Sequence, residues 1–137
     1  AAACKTKGDF AGAAKEYDML VKMLPDEPEG YSGLARLWAT CTDAKVRNGA
    51  KAVEYARMAV ELASNAESAA EDEEEIEDCV ALRLHCQETL ALAQAETGDF
   101  KAAIATIDSF RDEADKGDQR RLKKLREQFK AKQPLRE

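Results

Sequence analysis

Proline is scarce in this chain of 137 residues, with three copies, and glycine is held to seven. Runs of β-branched residues are missing too, whereas alanine is abundant. Such a composition favours helix over strand. No apolar run approaches the roughly 20 residues of a bilayer-spanning helix, so no membrane insertion is expected. A basic segment followed by an apolar stretch is absent from the N-terminus, which argues against a signal peptide. The chain opens Ala1-Ala2-Ala3-Cys4 without Met, and is read as a fragment or processed product. The net charge of −6 argues against a general nucleic-acid binder.

Four cysteines, Cys4, Cys41, Cys79 and Cys86, have neither the density nor the spacing of a disulfide scaffold or zinc site. Cys79 and Cys86 would be separated by ~10.5 Å of helical rise, out of disulfide reach. Buried free thiols in a reducing, cytoplasmic compartment are the expectation.

Acid–base chemistry near neutral pH has one histidine to draw on, His85. On a helix it lies about 120° around from Cys79, which weakens a thiolate–imidazole pair. Gly30-Tyr31-Ser32-Gly33 imitates a nucleophile elbow, but Leu34 takes the last glycine place and no strand precedes it. A P-loop and a dinucleotide fingerprint are missing. No catalytic residue, metal site or cofactor is expected. An enzyme using His85 and a cysteine is the remote alternative.

What is present is helical periodicity with an internal echo. Hydrophobic residues make up 45% and charged residues 35%, the balance of a soluble folded chain. Gly8-Asp9-Phe10 recurs as Gly98-Asp99-Phe100. Each copy reads as a tight helix–turn–helix: glycine closes one helix in a left-handed cap, and aspartate caps the next. Phe10, Ala13, Ala14, Tyr17, Leu20, Val21 and Leu24 follow at helical spacing, as do Phe100, Ala103, Ile104, Ile107 and Phe110. Between them, Tyr31, Leu34, Ala35 and Trp38 share one helix face. Gln87, Leu90, Ala91 and Gln94 are a looser version.

These spacings resemble the tetratricopeptide (TPR) repeat, with its W-x₂-L-G-x₂-Y, A-x₃-F and Pro signature. Ala13, Tyr17 and Pro25 supply the first unit. The Tyr31/Leu34/Ala35/Trp38 helix with Ala52, Ala56 and Ala59 supplies the second. Leu90, Ala91, Ala103 and Ile107 supply the third. An Ala-Thr-Cys-x-Asp joint, Ala39 to Asp43, and a terminal Pro-x-Arg-Glu, Pro134 to Glu137, are similar to those of bacterial TPR proteins. The resemblance implies an all-α right-handed solenoid of three helix hairpins. Its units are expected over about 1–27, 28–66 and 84–116, with an acidic insertion at 64–83 and a capping helix at 117–132. Leu122, Leu125 and Phe129 form the cap's apolar stripe; Arg120, Arg121, Lys123, Lys124, Arg126 and Lys130 form its solvated faces.

Leu34 and Leu90 lie 56 residues apart, 22 beyond one repeat. About five are assigned to the 43–49 joint and about seventeen to the stretch between Ala63 and Leu84. That stretch carries Glu71, Asp72, Glu73, Glu74, Glu75, Glu77 and Asp78, expected to be partly helical from about Glu71 because acids favour a helix N-terminus.

The family's function implies a protein-binding scaffold, gripping a peptide or protein in a concave groove. Projected onto this chain, the groove comprises Lys5, Glu29, Ser32, Arg36, Thr40, His85, Glu88, Leu92 and Glu96, with Lys5 and Arg36 toward one end and Glu88 and Glu96 toward the other. Ala2, Gly33 and Thr89 stand where chaperone-tail binders place their carboxylate donors, so that class is not expected. The acidic run suggests docking of a basic peptide. From Lys116 to Glu137 there are nine Lys/Arg against three Asp/Glu, without interleaved aromatics for nucleic-acid stacking. The two charge blocks suggest self-association as the alternative, a structural module or a spacer.

Overall fold

The helices form where alanine-rich periodic segments meet strong stop signals. In the computed structural model, residues 7–42, 44 and 47–136 are described, with side chains from Phe10 onward. They comprise six α-helices: α1 (Lys7–Met23), α2 (Pro28–Thr40), α3 (Gly49–Ala69), α4 (Glu73–Glu96), α5 (Phe100–Phe110) and α6 (Lys116–Lys130). One 3-10 turn, Arg111–Glu113, separates the last two, and no strand occurs among the described residues. Consecutive helices pack on one another, and α2 also packs directly on α4.

The caps explain the boundaries. Asn48, Asp72, Asp99 and Asp115 each accept the backbone N–H three residues on, opening α3, α4, α5 and α6. Pro28 opens α2 at its first position, where a missing N–H costs nothing. Gly98 ends α4 with φ +88°. Its N–H donates to the Ala95 carbonyl at 3.0 Å and that of Asp99 to the Gln94 carbonyl at 3.1 Å, the paired bonds of a Schellman cap. The second Gly-Asp-Phe copy is therefore the expected turn. The first is not: α1 runs through Gly8 and Asp9, whose backbones are helical. An aspartate in the first turn of a helix is favoured by the dipole. The expected left-handed glycine does not occur there, because Gly8 lies within α1.

The excess expected between Ala63 and Leu84 is absorbed mostly as helix, while the joint from Thr40 to Gly49 connects α2 to α3. α3 and α4 have 21 and 24 residues, against 13 and 11 in α2 and α5. Only Ala70–Asp72 lie outside helix in the acidic stretch, and helix resumes at Glu73, two residues after the expected start. Asp72 accepts from the Glu75 N–H at 2.8 Å while the Glu75 carboxylate accepts from the Glu71 N–H at 3.4 Å, a reciprocal cap. Arg83 secures this long hairpin. It pairs with Glu67 on α3 and, at 2.7 Å, with Glu113 of the 3-10 turn. The Glu113 carboxyl is held below its ordinary value by its hydrogen bond from Arg83.

The core has an alanine seam. Ala52, Ala56, Ala59 and Ala63 on α3 are all fully buried, at the i, i+4, i+7, i+11 spacing of one helix face. Tyr55 beside them packs its ring tilted against Tyr31, with centroids 5.5 Å apart, and edge-on to Trp38 at 5.0 Å. Phe110, Leu122, Leu125 and Phe129 continue the core into α5 and α6, as the cap stripe predicted.

Candidate functional site

Small side chains bring α2 and α4 together: Ala35, Ala39, Ala91 and Ala95 are each no more than 1% exposed. A polar strip runs along their junction. Ser32 Oγ lies 3.4 Å from Thr89 Oγ1, and Thr89 Oγ1 donates back to the His85 carbonyl at 3.1 Å. One turn on, Arg36 Nη1 donates to Glu88 Oε2 at 3.5 Å. Arg121 of α6 donates to the other Glu88 oxygen. Glu88 is only 5% exposed, and a carboxylate so placed must be paired to remain charged at modest cost.

Two turns further, Glu96 repeats the arrangement. Arg47, from the joint before α3, pairs with it at 3.4 Å, and Arg136 Nη1 donates to it at 2.6 Å. Glu88 and Glu96 are thus each held between two guanidiniums. One comes from α2 or its following joint, and the other from the C-terminal part of the chain. The same arginines complete the end of α2, where helix geometry leaves carbonyls without partners. Arg47 donates to the Cys41 carbonyl at 3.0 Å and Arg136 to that of Ala39 at 3.4 Å, while the Asn48 N–H serves Trp38 at 2.9 Å.

Of the residues expected to line a groove, Lys5 lies outside the described residues. Glu29 and His85 are exposed, and Arg36 and Glu96 half-buried. Ser32, Thr40, Glu88 and Leu92 are buried instead of lining an open surface, at 3%, 2%, 5% and 1% exposure. The alanines let the two helices approach until these side chains become part of the junction; Thr40 turns back to its own helix and donates to the Arg36 carbonyl at 2.7 Å. Arg36 and Glu88 were expected toward opposite ends but face one another. Arg121 is exposed, as expected of the cap's solvated faces, and also reaches Glu88, whereas Arg126 is half-buried in a two-pronged pair with Asp108, at 2.8 and 3.1 Å. That contact holds the Asp108 carboxyl below its ordinary value. All seven acids from Glu71 to Asp78 are exposed.

His85 is exposed and Cys86 fully buried. Burial pushes the Cys86 thiol up to about 11, against a smaller opposing effect of its hydrogen bond with Ser32. The Cys79 thiol is also raised, by burial first and then by Glu75, Asp78 and Glu67. Both shifts disfavour the thiolate, the reactive form. His85 sits instead at a cleft of about 230 Å³ between α4 and α6, with Asp115, Asp118 and Arg121 around it. Small-molecule pockets typically hold ~300–1,000 Å³.

No family model, curated protein or solved structure matches the chain. Its own contacts must carry any functional argument. They add Arg47, Arg121 and Arg136, which the reading of the sequence left out of the site. Arg136 had a signal, its place in the Pro-x-Arg-Glu run; Arg47 and Arg121 had none beyond their charge. No helix among the described residues is long and apolar enough to cross a membrane.

Proposed function

We propose that the chain is a TPR-like solenoid acting as a protein-interaction scaffold, with a partner segment gripped along the concave side formed by α2 and α4. The observation that carries this reading is the guanidinium–carboxylate strip between the two helices. Charged groups are kept at an inter-helix junction, where alanine packing alone would hold the helices together. Arg36 and Arg121 keep 28% and 53% of their side chains exposed at the edge of the strip, where a polar ligand can meet them. Glu29 and His85 flank it at exposed positions. The test is affinity capture from the native source with the intact chain and with Glu29→Arg/His85→Ala, both at exposed positions. A partner lost with the variant, at unchanged circular dichroism, supports the concave-side reading. A partner retained undiminished overturns it.

A second reading, self-association, draws on charge placement. Lys116, Arg120, Lys123 and Lys124 are exposed on α6, and the seven acids are exposed at the start of α4. Light scattering over a wide concentration range, at low and high salt, checks it: a mass that grows with concentration at low salt alone would favour this reading.

A further inference from the structure

Two sequence features that no role has yet absorbed meet in space. The Ala39-Thr40-Cys41 joint closes α2, and Pro134-Leu135-Arg136 follows α6, close to a hundred residues later. Pro134, Leu135 and Arg136 have no regular secondary structure. They lie as an irregular segment against the ends of α2 and α4. Leu135 packs against the main core. Arg136 Nη1 reaches the Glu96 carboxylate at 2.6 Å, the Ala39 carbonyl at 3.4 Å and the Leu135 carbonyl at 3.1 Å. Gln128 steadies the segment from α6 by donating to the Pro134 carbonyl at 3.0 Å.

Part of the receiving surface is held by residues outside the segment. Arg47 already orients Glu96, whose side chain is 13% exposed. The Ala39 carbonyl sits at the negative end of the α2 dipole, where a cation is favoured. Leu135 packs on the core cluster to which Ala39 and Ala95 belong. Together these select a short extended peptide in which an apolar side chain immediately precedes a guanidinium. A lysine would give one point charge where arginine offers several donors in a fixed fork.

The attachment is also slight. One guanidinium reaches the ends of α2 and α4, and Leu135 packs on the main core, with no ladder of backbone bonds. The chain reaches this position through Lys132, whose φ of +58° is left-handed. A non-glycine residue there is strained. Docked and undocked arrangements are thereby brought closer in free energy than a relaxed turn would leave them.

We propose that the ends of α2 and α4 form a docking site for an extended peptide of the apolar–arginine type, and that Pro134–Leu135–Arg136 fills it in cis as a displaceable occupant. This rests on the concave-side reading and adds the ligand's chemistry and its regulation. A partner presenting the same pair must compete with a tethered segment at high effective concentration.

The test uses full-length variants and a labelled, C-terminally amidated peptide of sequence Ala-Lys-Gln-Pro-Leu-Arg, followed by fluorescence anisotropy. With Leu135→Ser/Arg136→Ser the peptide should bind saturably, and at least tenfold more weakly to the intact chain. Adding Glu96→Gln, or replacing the peptide's arginine by alanine, should abolish binding. Arg136→Ala alone serves as the milder variant should the double change disturb folding, with circular dichroism as the check. Binding of equal strength with and without Glu96→Gln overturns the proposal. So does absence of binding to folded Arg136→Ala. If that absence accompanies partner capture that still depends on Glu29 and His85, the occupant is wrong and the concave-side reading stands.

Discussion

Gly33 on α2 faces the ring of Tyr17 on α1 so closely that a Cβ at position 33 would lie 2.3 Å from two ring carbons. The glycine is what lets α1 lie against α2. An alanine there must expel the ring or push the helices apart. Gly33→Ala should cost about 1–3 kcal/mol in urea unfolding, the range of overpacking. In a Tyr17→Ala background the obstacle is gone, and the added cost should fall by at least ~0.5 kcal/mol, the scale of coupling between touching residues. Equal costs in both backgrounds would show that the ring is not what excludes the methyl group.

α4 and α6 end in the same pair of backbone hydrogen bonds, but with Gly98 at the left-handed position of one and Lys132 at that of the other. Opposite effects follow. Gly98→Ala should destabilise by about 1–2 kcal/mol, the cost of placing a side chain in that conformation. Lys132→Gly should gain by a few tenths to ~1 kcal/mol, since relief of strain exceeds the added freedom of the unfolded chain. Thermal unfolding of the two variants reads both signs; a loss of stability in Lys132→Gly would contradict the account.

Glu88 receives Arg36 and Arg121 while nearly buried. Glu88→Gln keeps the shape and removes the charge that both guanidiniums address. The expected loss is about 1–3 kcal/mol, the scale of hydrogen bonds to charged groups, moderated by the exposure of Arg121. Hydrogen exchange should show the loss in α6 first. Protection unchanged in α6 would mean that apolar packing alone holds the cap.

The Cys86 thiol, lifted by burial to about 11 from an ordinary 9.0, ties stability to alkaline pH. The folded state keeps its proton where the unfolded chain gives it up. Its contribution is therefore complete below pH 9 and declines as pH rises toward 11. Cys86→Ala should show a shallower decline than the parent over that window in urea midpoints. Parallel curves would place the alkaline sensitivity in other groups.

Most of the helices were legible because their signals are local. The Phe100–Phe110 face, the Leu122/Leu125/Phe129 stripe and the Ala52/Ala56/Ala59 series depend only on spacing, and each is buried or half-buried as expected. Gly98-Asp99 was legible because a helix precedes it. Gly8-Asp9, with identical letters, was not: a tripeptide does not encode which side of a helix start it falls on. The site was less legible for a related reason. Spacing places Ser32, Arg36, Glu88 and Leu92 on the sides of α2 and α4 that meet. It does not report how near two helices come when both carry alanine at the contact. That distance turns an open groove into a junction. Nor could spacing foresee that Arg121 and Arg136, distant in sequence, would reach the same two glutamates.

The fully buried alanines of α3 bear on how this protein responds to temperature. An alanine has no rotamers to freeze, so ordering it costs backbone entropy alone. It also hides little apolar surface, and the heat capacity of unfolding grows with that surface. A domain whose central helix is seated on methyl groups should therefore unfold with a small heat-capacity increment per residue. Its stability curve is then broad and flat, and cooling far below the optimum takes little away from it.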